Sequence, residues 1–134
     1  MRRVDENELR AAADAGDADA MVKLADHLNE KHVYDEDTHE EEVQELLERA
    51  AELGHREAPY ALGVLLRAWG NPEEAEPWLR RAADAGDAEA WAELGHLYDG
   101  EDDPEQAVRC YRRAAELGSR QGAENLALLE AGAR

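Results

Sequence analysis

Residues 81–98 read RAADAGDAEAWAELGHLY, and this stretch decides the fold because the chain repeats it. RAAELGHREAPYALGVLL occupies residues 49–66, and RAAELGSRQGAENLALLE occupies residues 113–130. A weaker copy, AAADAGDADAMVKLADHL, occupies residues 11–28. A glycine stands at the same point of every copy, at spacings of 38, 32 and 32 residues: Gly16, Gly54, Gly86 and Gly118. A period of this length is typical of stacked repeat architectures.

Each copy joins two predicted helices. Apolar residues recur at three- and four-residue spacing over residues 41–53, which predicts an amphipathic helix. The repeated glycine provides a C-cap, and Asp17, Asp87 or Ser119 can then N-cap the next helix. A connection this short makes neighbouring helices antiparallel. No strand is predicted, and the expected helices lie near residues 4–15, 18–31, 39–53, 56–69, 72–85, 88–99, 104–117 and 120–131.

Other local signals mark helix starts and one conflict. Asn71 and Asp103 each offer a capping side chain before a proline in the first turn. Thr38 with Glu41 fits a capping box. Pro77 falls inside a predicted helix, which it is expected to bend.

The repeated positions resemble a known family, the Sel1-like repeat, which is a close relative of the tetratricopeptide repeat. The resemblance covers residues 9–129, and its clearest copy comprises Trp91, Leu94, Gly95, Tyr98, Ala107, Tyr111, Ala114, Ala115 and Gly118. It implies an all-α fold, a right-handed α-solenoid of stacked antiparallel helix pairs. We expect one repeat domain over residues 1–134, with units near 18–55, 56–87 and 88–119 and a half-unit at each end.

Packing arguments point the same way, because an isolated helix pair of this kind cannot bury its apolar face. Gly63 and Gly95, with Ala25 and Ala127 at the same position of other copies, allow the paired helices to approach closely. The first helix of each pair would then line a concave face. Val22 and Ala92 are also predicted to point to this face. The candidate partner-binding residues on it are Asp26, Asn29, Glu57, Tyr60, Val64, Arg67, Glu89, His96 and Asp99.

The net charge of the chain restricts the class of molecule that it can bind. The 134-residue chain carries 33 acidic and 15 basic residues, a net charge of -18. Such an excess argues against nucleic acid and anionic membranes as partners and favours a basic protein or peptide. No segment approaches the roughly 20 apolar residues of a membrane span, and residues 1–10 lack an apolar signal core. A cytoplasmic location is therefore expected, and the preference for arginine and alanine suggests a bacterial source.

Few residues of the sequence have the types and spacing that catalytic or metal-binding sites need. Cys110 is predicted to be a buried apolar residue, because a reactive thiol needs a nearby base. In the acidic loop of residues 31–42, a loose metal-ligand cluster is suggested by His32, Asp35, Asp37, His39 and Glu40. The loop lacks a calcium-loop order of ligands and a paired histidine motif, so this indication is weak. Arg49, Arg81 and Arg113 each precede an acid by three residues, which predicts intrahelical ion pairs. We therefore expect no catalytic, metal or cofactor site, and no enzyme.

The leading hypothesis is a non-catalytic adaptor or regulatory module that binds a basic protein or peptide in a concave acidic groove. One alternative is an acidic decoy that neutralises a basic nucleic-acid-binding or toxic protein. Another is a self-assembling structural module, because Leu126, Leu128 and Leu129 are expected to leave an apolar edge on the last helix.

Overall fold

The computed structural model describes residues 5–31 and 39–132. These residues form eight helices and no strand, and each predicted helix is confirmed with its ends within two residues. The helices are α1 (Glu6–Asp14), α2 (Ala18–Lys31), α3 (Glu40–Glu52), α4 (Ala58–Ala68), α5 (Pro72–Asp84), α6 (Ala88–Gly100), α7 (Pro104–Glu116) and α8 (Arg120–Gly132). By their place in the repeat, α2, α4, α6 and α8 are first helices, and α1, α3, α5 and α7 are second helices.

The chain divides into two compact units, Met1–Leu62 and Gly63–Arg134, so that the boundary falls within α4. In the N-terminal unit, α1 packs on α2 and α2 packs on α3. In the C-terminal unit, α6 packs on α5 and on α7, and α8 packs on α7 and touches α6. The single repeat domain over residues 1–134, with the unit boundaries given above, stays a prediction.

The turns follow the predicted chemistry. Gly16, Gly54, Gly86 and Gly118 all have a left-handed backbone, with φ between +87° and +99°. The Asp87 carboxylate accepts hydrogen bonds from the backbone N–H groups of Glu89 and Ala90. Similar side-chain caps are formed by Asp17, Ser119 and Asp103, at distances of 3.0–3.3 Å.

Two of the predicted start signals have a different outcome. Asn71 precedes α5, but its side chain makes no capping hydrogen bond, so the predicted cap is wrong. The backbone geometry and Pro72 mark that helix start instead. Thr38, the expected capping-box residue, lies outside the described residues.

Pro77 lies inside α5, as predicted, and the helix continues past it to Asp84.

The core is built from the repeated apolar positions. Leu24, Leu62 and Leu94 of the first helices are at most 1% exposed, and so are Leu47, Leu79 and Tyr111 of the second helices. In the C-terminal unit, a Cβ atom added to Gly63 would lie 2.6 Å from Leu79 Cδ2. This contact confirms that the missing side chain permits close packing of the paired helices.

Candidate functional site

The predicted inner face has four of its residues in the N-terminal unit. Asp26 and Glu57 are exposed, while Asn29 and Tyr60 are half-buried. Partial burial of the Asp26 carboxyl, together with the negative charges of Glu30 and Glu57, raises its pKa. Like charges are therefore crowded on this part of the surface, and a cation placed there would relieve their repulsion.

The other five predicted residues lie in the C-terminal unit. Arg67 and Asp99 are exposed, and Val64, Glu89 and His96 are half-buried. Each of the nine residues thus retains solvent access, which is compatible with a binding surface; their role in binding a partner stays a prediction. Val22 and Ala92 are different, because they are buried in the core and cannot present side chains to a partner.

Arg67 is fixed by an ion pair that was not anticipated. Its Nε atom lies 2.8 Å from a carboxylate oxygen of Glu93. Glu93 is only 7% exposed, whereas the side chain of Arg67 is 39% exposed. A buried carboxylate needs a charged partner and hydrogen bonds, so Glu93 holds the guanidinium at this place. Glu93 has no equivalent acid in the other copies, and the repeat pattern therefore contained no signal for it.

His96 is the centre of a polar cluster of α6, α7 and α8. Its Nδ1 atom is 3.0 Å from the Tyr111 hydroxyl, and its Nε2 atom is 2.8 Å from Nε2 of Gln121. The amide nitrogen of Asn125 lies 3.3 Å from the same Nε2 atom. Both ring nitrogens are thus within hydrogen-bond distance of a partner, Nδ1 of one on α7 and Nε2 of two on α8. The imidazole therefore joins α6 to α8.

Cys110 and Arg113 have the surroundings that the sequence predicts. Cys110 is 4% exposed, and burial raises the pKa of its thiol to about 11. Arg113 pairs with Glu116 at 3.3 Å, as the three-residue spacing predicts. Arg81 places its guanidinium 5.6 Å from the ring centroid of Trp78, and its predicted pair with Asp84 stays a prediction.

The acidic loop carried the weak indication of a metal site. His32, Asp35 and Asp37 lie outside the described residues. Elsewhere, within residues 5–31 and 39–132, no group of three or more histidine, cysteine, aspartate or glutamate side chains is arranged to hold a metal ion. No helix in those same ranges is long and apolar enough to cross a membrane.

An open cleft of about 640 Å³ lies between α1 and α2 in the N-terminal unit. Its apolar part comprises Leu9, Ala12 and Ala20, and most of its other lining residues are acidic. Asp26 belongs to this lining as well as to the predicted inner face. The cleft itself was not predicted from the sequence.

Comparison with known protein families identifies the repeats. The tetratricopeptide repeat profile matches residues 57–85 and 88–117, and the Sel1 repeat profile matches residues 44–55. This chain carries tetratricopeptide-like and Sel1-like repeats. The family resemblance inferred from the sequence is thereby confirmed. Proteins of this repeat family generally mediate protein–protein interaction as non-catalytic scaffolds.

Solved structures agree with these repeats. The chain is similar to a protective antigen present in uropathogenic Escherichia coli strains, which displays an SLR fold, with a TM-score of 0.70 and 28% identity. That match covers 90% of this chain but only 27% of the antigen. A Sel1 repeat protein from Oxalobacter formigenes is similar with a TM-score of 0.64 and 26% identity, covering 90% of this chain and 95% of that protein. The predicted all-α solenoid class is confirmed. No curated protein matches the sequence.

Proposed function

We propose that this repeat protein is a non-catalytic adaptor of a bacterial cytoplasm that binds a basic protein or peptide on its predicted inner face. The main support is the raised pKa of Asp26, which results first from partial burial and then from the negative charges of Glu30 and Glu57. A bound arginine or lysine side chain would reduce this repulsion, and the complex would therefore be stabilised relative to the free protein.

Further support comes from composition and from the residues beside this acidic patch. A net charge of -18 disfavours nucleic acid and anionic lipid as the partner. Tyr60 is only half-buried, so it can contact an apolar anchor of a peptide. The bacterial source is supported by the two bacterial proteins of similar structure.

The test measures binding of a fluorescent peptide that contains four arginines around one leucine, by anisotropy at 50 and 300 mM salt. We expect binding that weakens with salt, because salt screens charges over about 10 Å at 0.1 M. Asp26→Asn with Glu57→Gln should weaken binding at least fivefold. The matched control is Glu41→Gln with Glu45→Gln, which removes two exposed acids from α3 of the same unit.

Each outcome has a distinct meaning. Loss confined to the Asp26 and Glu57 variant supports the proposal. Equal loss in both variants overturns it and favours the decoy, in which the whole acidic surface acts. Failure of the peptide to bind the parent protein at low salt also overturns it.

A further inference from the structure

We propose that copies of this chain associate head to tail, with α8 of one copy seated in the cleft between α1 and α2 of the next. This inference does not depend on the binding of a basic partner. It follows from two surfaces that match one another in the register of the repeat, one in each unit. The observations are taken from each unit separately and then combined across two copies.

The first surface is the face of α8 that no described helix covers. In α6, the equivalent residues Leu94, Gly95 and Leu97 are buried, and His96, the equivalent of Leu128, is half-buried. Tyr111 of α7 lies against both Gly95 and His96. In α8, Leu126 and Leu129 are only half-buried, Ala127 is exposed, and Leu128 is 70% exposed. This first helix therefore presents apolar groups at positions that in α6 are buried or lie against a second helix.

The second surface is the cleft beside α1, which is a second helix by its sequence. Leu9 is the repeat equivalent of Leu47, Leu79 and Tyr111, all of which are at most 1% exposed. Leu79 and Tyr111 each pack against the glycine of a first helix. Leu9, by contrast, is half-buried and lines the 640 Å³ cleft. It is a core-type side chain with no described first helix opposite it.

The two surfaces are compatible in size. At the contact position of the first helix, α6 has Gly95 opposite the ring of Tyr111. The N-terminal unit has Ala25 at this position and Leu47 at the opposing one, and both are fully buried. The same combination, alanine with leucine, arises when Ala127 of α8 meets Leu9 of a second copy. An alanine and a leucine therefore fill this layer of the core elsewhere in the same chain.

The charges of the second helices that would meet beside this contact, α7 of one copy and α1 of the next, are also complementary. In the C-terminal unit, the charge of Arg80 on α5 lowers the pKa of the Cys110 thiol on α7, against the larger opposite effect of burial. Electrostatic effects thus extend between successive second helices at these positions. The repeat equivalents are Arg112 on α7 and Glu8 on α1. Head-to-tail docking thus brings Arg112 of one copy towards Glu8 of the next.

The surroundings of these two residues carry opposite charge. Arg109 and Arg112, together with one acid, Glu105, line a shallow groove of about 440 Å³ on α7. Arg112 also lies 3.6 Å from the exposed Glu130 carboxylate of α8, a pair that docking would loosen. Residues 104–134 contain five arginines and four acids, a net charge of +1, which leaves -19 for the rest of the chain. The cleft beside α1, on the other hand, is lined by Asp5, Glu8, Asp17, Asp19, Asp26 and Glu30 against Lys23.

Such a contact is heterologous, because the two copies use different surfaces. Each added copy leaves one face of each kind open, so the assembly grows into a ring or an open chain rather than stopping at a symmetric dimer. This property distinguishes the proposal from symmetric pairing of two α8 edges.

The experiment is sedimentation velocity of the full chain between 5 and 500 µM, with Leu9→Glu, Leu128→Glu and their equimolar mixture. We expect the parent's weight-average mass to rise at least twofold with concentration, and each variant alone to stay monomeric. The mixture should form a dimer and nothing larger, because it contains one intact face of each kind. Leu53→Glu, at a leucine that is 57% exposed elsewhere, is the control and should behave as the parent does.

The proposed pair of Arg112 with Glu8 provides an independent test. Glu8→Arg and Arg112→Glu should each weaken association at least threefold, and mixing these two variants should restore it. Circular dichroism of each variant verifies that the helices are retained. A parent that stays monomeric at 500 µM overturns the proposal, and so does dimerisation of Leu9→Glu alone, which would indicate symmetric α8 pairing.

Discussion

Gly95 lies so close to the ring of Tyr111 that a Cβ atom on residue 95 would be 2.5 Å from Tyr111 Cε1. The ring cannot easily retreat, because Tyr111 is 1% exposed and its hydroxyl is hydrogen-bonded to His96. The tyrosine and imidazole rings are nearly perpendicular, with their centroids 5.5 Å apart. Close packing of α6 on α7 therefore depends on the absence of a side chain at residue 95.

Gly95→Ala should lower the free energy of unfolding by about 1–2 kcal/mol. Overpacking a core typically costs about 1–3 kcal/mol, and the better helix propensity of alanine offsets up to about 1 kcal/mol of that. Urea denaturation measures the change. Gly100→Ala is the control, since a Cβ there meets nothing within 4 Å and should not destabilise. If Gly95→Ala were as stable as the parent, the described packing of Tyr111 would be wrong.

Arg67→Met should destabilise the C-terminal unit by about 1–3 kcal/mol, because it leaves the buried carboxylate of Glu93 without its ion partner. The expectation is below the roughly 3–5 kcal/mol of a fully buried pair, since water reaches the Arg67 side chain. Thermal unfolding provides the measurement. The deficit should shrink when Glu93→Gln is added, because the neutral amide needs no ion partner. A deficit that this second change does not reduce would contradict this account.

The Cys110 thiol should react with a disulfide reagent at least 100-fold more slowly in the folded protein than in urea at the same pH. Burial raises its pKa to about 11, so little thiolate is present at neutral pH, and the sulfur is shielded from the reagent. Absorbance of the released thiol follows the reaction. Comparable rates in the folded and unfolded protein would show that the site is open.

Asp26→Asn should raise the melting temperature at pH 7. The pKa of Asp26 is raised in the folded protein, so its ionised form opposes folding at pH values above that pKa. The gain should decline as the pH falls through the folded pKa and disappear below the ordinary value of 3.8, where the carboxyl is neutral in both states. Calorimetry from pH 3 to 8 tests the sign, with Glu41→Gln as a control for the loss of one exposed charge. A gain that persisted at pH 3 would exclude this cause.

The helices and their turns were predictable because the signals for them are local. Gly86 and Asp87 illustrate this: the glycine adopts φ of +97°, and the next side chain caps α6 through two backbone N–H groups. Both effects act within a few residues, so a linear pattern contains them. Asn71 shows the limit of such reasoning, because a residue with capping chemistry can still leave the backbone N–H groups of its helix without a side-chain acceptor.

Four repeated motifs were enough to specify all-α helix pairs, their antiparallel order and their buried leucines, since periodicity records which side of each helix must avoid water. The ion pair of Arg67 with Glu93, the crowded charge at Asp26 and the open cleft beside Leu9 became visible only in three dimensions. These features depend on the distance between groups on different helices and on how much water reaches them. A one-dimensional pattern records neither quantity.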